Sequence, residues 1–212
     1  MKKQHIALLG DSIFDNSPYT DGAPDVVSNL RAALPEGWGA SLLAVDGSTT
    51  ADLDPQIAHI EDDVTHLVLS LGGNDALLNS DLLNTPVGST AEALALFGLR
   101  IDAFRDSYVA ALESLLALDR HTTVCTIYEG NLDPAWAALA RVALMVFNDV
   151  ILRVAFEHGI DVIDLRLVCT EESDYANPIE PSGGGGRKIA EAIALAVGAE
   201  EGPIPSRVFG RS

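Results

Sequence analysis

Positive charge is scarce in this sequence: 13 Lys and Arg stand against 31 Asp and Glu in 212 residues, a formal net charge of −18. A surface that negative repels phosphate backbones and anionic lipid head groups, so no nucleic-acid partner is expected. Cysteine is scarce too. Cys125 and Cys169 sit in or beside apolar runs, where a thiol behaves as a small buried hydrophobe, and they make no disulfide framework. None is needed, because a chain of this length buries roughly 70 % of its unfolded surface. Long apolar runs are missing as well. None approaches the roughly 18–20 residues of a membrane span, and the run Ile6 to Leu9 behind Lys2-Lys3 meets Asp11 too soon for a signal peptide. The expectation is a soluble, cytoplasmic protein with no membrane partner; oligomeric state is left open.

What is present is ordinary in amount, with 48 % apolar and 21 % charged residues, which sets aside disordered and coiled-coil classes. Short β-type runs alternate with helical patterns from end to end, the signature of a parallel sheet with helices on both faces. The predicted strands are His5 to Gly10, Ala40 to Val45, His66 to Leu71, Thr122 to Tyr128 and Ile160 to Leu165. A helix opens at Asp133-Pro134 and closes at His158-Gly159, an N-cap with proline inside it and a glycine stop. Another runs from about Thr90 to Leu118, with Leu94, Phe97, Ile101, Phe104, Tyr108, Leu112 and Leu115 as an apolar stripe that core packing explains. The last carries Ile189, Ile193 and Val197 on one face. The fold expected is α/β: a three-layer α/β/α sandwich with a five-stranded parallel sheet, flavodoxin-like. One domain covers residues 1–198, and residues 199–212 form a C-terminal surface extension.

In such a sheet ligands bind beyond the carboxyl ends of the strands. The residues there are polar: Gly10-Asp11-Ser12, then Asp46-Gly47-Ser48-Thr49, then Gly72-Gly73-Asn74-Asp75, then Glu129-Gly130-Asn131, and finally Arg166 with an acidic loop behind it. At Gly10-Asp11-Ser12, Gly47 and Gly72-Gly73-Asn74-Asp75 the chain resembles the SGNH (GDSL-type) hydrolases, a family of serine esterases, lipases and related acyl hydrolases. Each motif alone is weak, and the set in this order is specific. The resemblance implies that Ser12 is the nucleophile. It also implies that the N–H groups of Ser12 and Gly47, with the Asn74 amide, form an oxyanion hole for a small-molecule acyl ester, with no cofactor or metal. Asp11, Asp75 and Arg166 are candidate substrate-binding residues. Asp11, Asp46 and Asp75 also invite a metal-dependent phosphatase reading. A receiver, however, would want an Asp directly after strand three and a Lys after strand five, where this chain has Gly72-Gly73 and Arg166.

The pattern then breaks. Before the last helix the family carries Asp-x-x-His-Pro, with His as base and Asp orienting it. The corresponding residues here read Asn177-Pro178-Ile179-Glu180-Pro181-Ser182, which puts Asn177 in the Asp place and Glu180 in the His place. His5, His66 and His121 start strands at the opposite edge, roughly 15–20 Å away, His158 ends a helix, and His59 sits on a helix before strand three. Glu180 is therefore the candidate base, held by a neutral bond from Asn177. Two functional readings stay open: an esterase acting through acyl-Ser12, and a family member that has lost turnover and binds an acyl or sugar ligand. The glycine run Gly183 to Gly186 lets the loop turn into the last helix.

Overall fold

Along a strand every second side chain faces the same side, and that period divides the core in two. In the computed structural model, which describes residues 3–200 and 202, β1 (Gln4–Gly10) sends Ile6 and Leu8 into one apolar cluster and Ala7 and Leu9 into the other. All four are fully buried, as fits a strand covered on both faces. The remaining strands are β2 (Trp38–Leu42), β3 (His66–Ser70), β4 (His121–Cys125) and β5 (Asp161–Ile163). All pair in parallel, in the order β2-β1-β3-β4-β5. The helices are α1 (Val26–Ala33), α2 (Leu53–Ile57), α3 (Gly73–Leu78), α4 (Thr90–Leu116), α5 (Pro134–His158), α6 (Leu165–Val168) and α7 (Gly183–Ala196). α1 and α7 cover one face through Val26, Leu30, Ile189 and Ile193. α4 and α5 cover the other through Phe104, Leu112, Phe147 and Ile151. This is the three-layer α/β/α sandwich expected, and the strand order reverses at β1 and β3, which opens a crevice above their carboxyl ends.

Three strands stop earlier than their apolar runs. After β2 the Leu43 and Ala44 amides both donate to the Leu8 carbonyl, at 2.8 and 2.9 Å, so the ladder loses its two-residue period there. After β4 the side chain of Asn148 on α5 replaces a strand partner: its Oδ1 accepts the Ile127 N–H and its Nδ2 donates to the Ile127 carbonyl, both at 2.8 Å. After β5, Asp164 turns from strand to N-cap and accepts the Arg166 N–H.

The long helices also depart from their stripes. On α4 only Phe104, Tyr108, Leu112 and Leu115 of the predicted row are buried, while Leu94 is 72 % exposed. Core packing therefore does not explain its first turns. α5 corrects the reading of short apolar runs: over an 18-residue window its mean hydropathy is 1.7, long and apolar enough to cross a membrane by length and composition, and 22 % of that window is buried. The count of uninterrupted runs missed it because Arg141 and the pair Asn148-Asp149 break the run yet leave the average high. α7 begins with the four glycines themselves, Gly183 to Gly186, capped by Ser182, whose Oγ accepts the Gly185 N–H at 3.1 Å. The chain needs glycine there: a Cβ on Gly185 would lie 2.1 Å from the Asp174 carbonyl oxygen. Of the predicted C-terminal extension, residues 201 and 203–212 fall outside the described residues.

Candidate active site

The turn that follows β1 is pinned before it reaches Ser12. Gly10, at φ +125°, lies so close to β3 that a Cβ would sit 1.7 Å from the Ser70 carbonyl oxygen. Only glycine fits there. Gln56 on α2 clamps the same residue from the other side, accepting the Gly10 N–H and donating to the Gly10 carbonyl, both at 2.8 Å, with a further bond of 3.2 Å to Ser48 Oγ. Sequence reasoning missed Gln56. Its only signal was a polar residue three positions after Leu53, on the inward face of a short helix.

Ser12 is 8 % exposed and lines a cavity of about 160 Å³ with Asp11, Asn74 and Glu180. Leu83, Phe97, Leu144 and Phe147, from α4, α5 and the segment after α3, line the same cavity. Phe97 thus belongs to the cavity wall rather than to the core. Glu180 is 6 % exposed, and its Oε2 has no hydrogen-bond partner. Burial raises its pKa, the adjoining Ser12 hydroxyl pulls it back, and the Asp46 charge adds to the rise.

The loop that carries Glu180 is held at several points. Tyr128 donates its hydroxyl to the Ile179 carbonyl at 2.6 Å, the Asn131 N–H reaches the Pro178 carbonyl at 2.9 Å, and the fully buried Asn16 reaches the Pro181 carbonyl at 3.3 Å. Asn177 closes the loop on itself. Its Oδ1 accepts the N–H groups of Ile179 and Glu180, each at 2.9 Å, so the neutral bond between Asn177 and Glu180 is made at the main chain. Tyr128 and Asn16 carried no motif, because each acts through a backbone carbonyl far away in sequence.

The other expected site residues divide. The Asn74 side chain lines the cavity and donates one bond to the Ser48 carbonyl at 3.0 Å, leaving its second N–H, since an amide has two. Gly47 lies in the exposed turn after β2 at φ +81°. The Asp11 carboxyl lines the cavity and accepts the Ile13 N–H at 3.1 Å. Burial pushes its pKa up to about 7, against the Ile13 bond and with help from the Glu180 and Asp75 charges. Asp75 is engaged elsewhere, accepting the Thr50 N–H at 3.1 Å and the Thr50 hydroxyl at 2.6 Å, so it ties α3 to the turn after β2. Arg166 is not brought to Ser12 either. It forms a two-pronged pair with Asp164, at 2.7 and 2.6 Å, beside a separate recess with Asn131, Thr170 and Tyr175.

No histidine lines the cavity. His66 and His121 stack at 5.2 Å at the opposite edge, where β3 and β4 begin. Asp11, Asp46 and Asp75 do not form a metal-holding group. Among the described residues such a group is formed by His5, Glu61 and Asp63, also away from Ser12, and there His5 Nδ1 already contacts Asp63 at 2.9 Å.

Comparison with known proteins agrees with this fold. Among curated sequences none matches the chain. Among solved structures, a phospholipase A1 from Streptomyces albidoflavus superposes with a TM-score of 0.69 at 16 % identity, over 92 % of this chain and 100 % of that one. A lipase from a goat rumen metagenome gives 0.69 at 18 %, over 92 % and 97 %. A G-D-S-L lipolytic family member from Veillonella parvula gives 0.65 at 19 %, over 92 % and 97 %. Likeness at these identities shows the shared fold. Residues 8–185 match the GDSL-like Lipase/Acylhydrolase family, a span that holds Ser12, Gly47, Asn74 and Glu180, and the chain therefore belongs to that family.

Proposed function

We propose that this protein hydrolyses small acyl esters through an acyl-Ser12 intermediate, with Glu180 as general base in place of a histidine. The observation that carries this reading is that Ser12 and Glu180, both buried, line one cavity with Asn74. In the first step the Ser12 oxygen bonds the ester carbonyl carbon and its proton passes to Glu180, which delivers it to the leaving alcohol oxygen. Water then adds to the acyl-enzyme, gives a proton to Glu180 and frees the acid, and the proton returns to Ser12. The negative charge that develops on the carbonyl oxygen is met by the Ser12 and Gly47 amides and the free N–H of Asn74, where one donor contributes about 3–4 kcal/mol.

A carboxylate is a weak base for a hydroxyl at its ordinary pKa, and burial moves it toward the range where proton transfer is useful. Activity should therefore fall on the acid side of a midpoint above the ordinary glutamate range, as Glu180 takes up its proton. The test is intact-mass detection of labelling by a serine-reactive fluorophosphonate across pH. The wild type should label, with a rate rising through that midpoint. Ser12→Ala should not label, and Glu180→Gln should label about 10²-fold more slowly with the acid limb flattened. A wild-type rate unchanged in Glu180→Gln would remove the carboxylate base. No labelling at any pH would leave a pocket that binds without turnover.

A further inference from the structure

The charge of a cavity wall constrains what enters it. Three acids, Asp11, Glu129 and Glu180, line the Ser12 cavity, and among the described residues no Lys, Arg or His does. The basic side chains that follow β5 and open the last helix are committed elsewhere, Arg166 to Asp164 and Lys188 to Glu171 and Asp174. Glu180 adds an independent observation. It is more than nine-tenths buried, it lines the cavity, and its Oε2 has no hydrogen-bond partner. A buried carboxylate left short of donors is a costly arrangement that a bound donor relieves. The side chains whose charge bears on Glu180 offer no relief: Asp11 and Tyr19 from the segment after β1, Asp46 after β2 and Tyr128 after β4 are acidic or neutral, and none offers a positive charge.

Resting on the acyl-hydrolase reading above, we propose that the substrates are esters of amino alcohols, with an apolar acyl chain in the cavity and a protonated amine on the alcohol side that donates to Glu180. The lining of the cavity supports this: Leu83, Phe97, Leu144 and Phe147 suit a hydrocarbon chain, and Asp11, next to Ser12 in the chain, lines the same cavity with Glu129 and Glu180. A phosphate or carboxylate on the alcohol half would meet like charge on each of these acids that is ionised. An ammonium meets them as counter-charges, and it favours the ionised Glu180 that burial disfavours. The carboxylate has about four lone-pair sites, enough to serve the ammonium and the Ser12 hydroxyl together.

The experiment compares 2-(dimethylamino)ethyl butanoate, protonated at neutral pH, with its neutral isostere 3-methylbutyl butanoate on the full chain. The cationic ester should show a kcat/KM about tenfold higher, the scale of one charge-assisted hydrogen bond. That advantage should shrink between about 0.01 and about 1 M salt, as the Debye length falls from about 30 to about 3 Å. For the cationic ester the acid limb of kcat should lie at lower pH than that of kcat/KM, because the amine holds Glu180 ionised in the complex, and for the neutral ester the two limbs should coincide. Equal kcat/KM values, or a preference that salt does not touch, would overturn the proposal and leave the hydrolase reading standing. Fluorophosphonate labelling of Ser12 with neither ester hydrolysed would also overturn the proposal alone. Absence of both labelling and hydrolysis would overturn the two together.

Discussion

Asp11 sits one residue before Ser12 and carries a carboxyl that water scarcely reaches, and this has a measurable consequence for stability. Its pKa is about 7 in the fold against an ordinary 3.8, with burial as the main cause. Below the ordinary value both folded and unfolded chains hold the proton, and nothing is lost. As pH rises through that value the unfolded chain ionises first, so stability falls until the folded carboxyl ionises too and then levels off. Asp11→Asn removes this loss while keeping an oxygen for the Ile13 N–H. The variant should be more stable than wild type by about 2–4 kcal/mol at pH 8, with the difference vanishing toward pH 4; urea denaturation at both pH values checks it. At this scale three residues that the sequence singled out, Ser12, Asn74 and Glu180, meet at one cavity, while residues whose side chains serve the backbone were illegible. Gln56 on Gly10 and Asn177 on the Glu180 N–H are polar residues whose partners only the fold reveals.

At the scale of elements, each predicted strand exists and each of the three that differ most ends early, for one recurring reason: a polar side chain or a shared carbonyl replaces the ladder. Asn148 is the clearest case. Hydrophobic runs predicted β4 through Tyr128, yet the sheet ends at Cys125 and an amide from α5 carries Ile127 onward to the cavity wall. Asn148→Ala would leave the N–H and carbonyl of Ile127 without partners, at about 1–3 kcal/mol each. The variant should lose about 2–5 kcal/mol in urea denaturation, and the rate of Ser12 labelling should fall with it, because Tyr128 next along the chain anchors the Glu180 loop. The helical stripe of α4 misled in the opposite direction. Leu94 and Phe97 keep the period of a buried face, and periodicity cannot tell a core from a ligand cavity.

The whole molecule carries 31 acidic against 13 basic side chains, and self-repulsion on that scale weakens the folded state until salt screens it. Thermal midpoints should rise with added sodium chloride at fixed pH, by about 2–4 °C for each kcal/mol of repulsion relieved; a flat response would mean that the negative charges are too far apart to matter. A second property belongs to the chain as a whole and begins at the four glycines that open α7. Glycine is about 1 kcal/mol per residue poorer than alanine in a helix, so this turn is held from outside, by the Ser182 cap and by contact with Asp174. It should be the first part of the final helix to open. Because Asn16 binds the Pro181 carbonyl just ahead of it, opening there releases the segment that presents Glu180 while the sheet stays intact. Backbone amides from Glu180 to Lys188 should then exchange with deuterium together, well before those of β1 and β3, so that the proposed base sits on a hinge of low local stability.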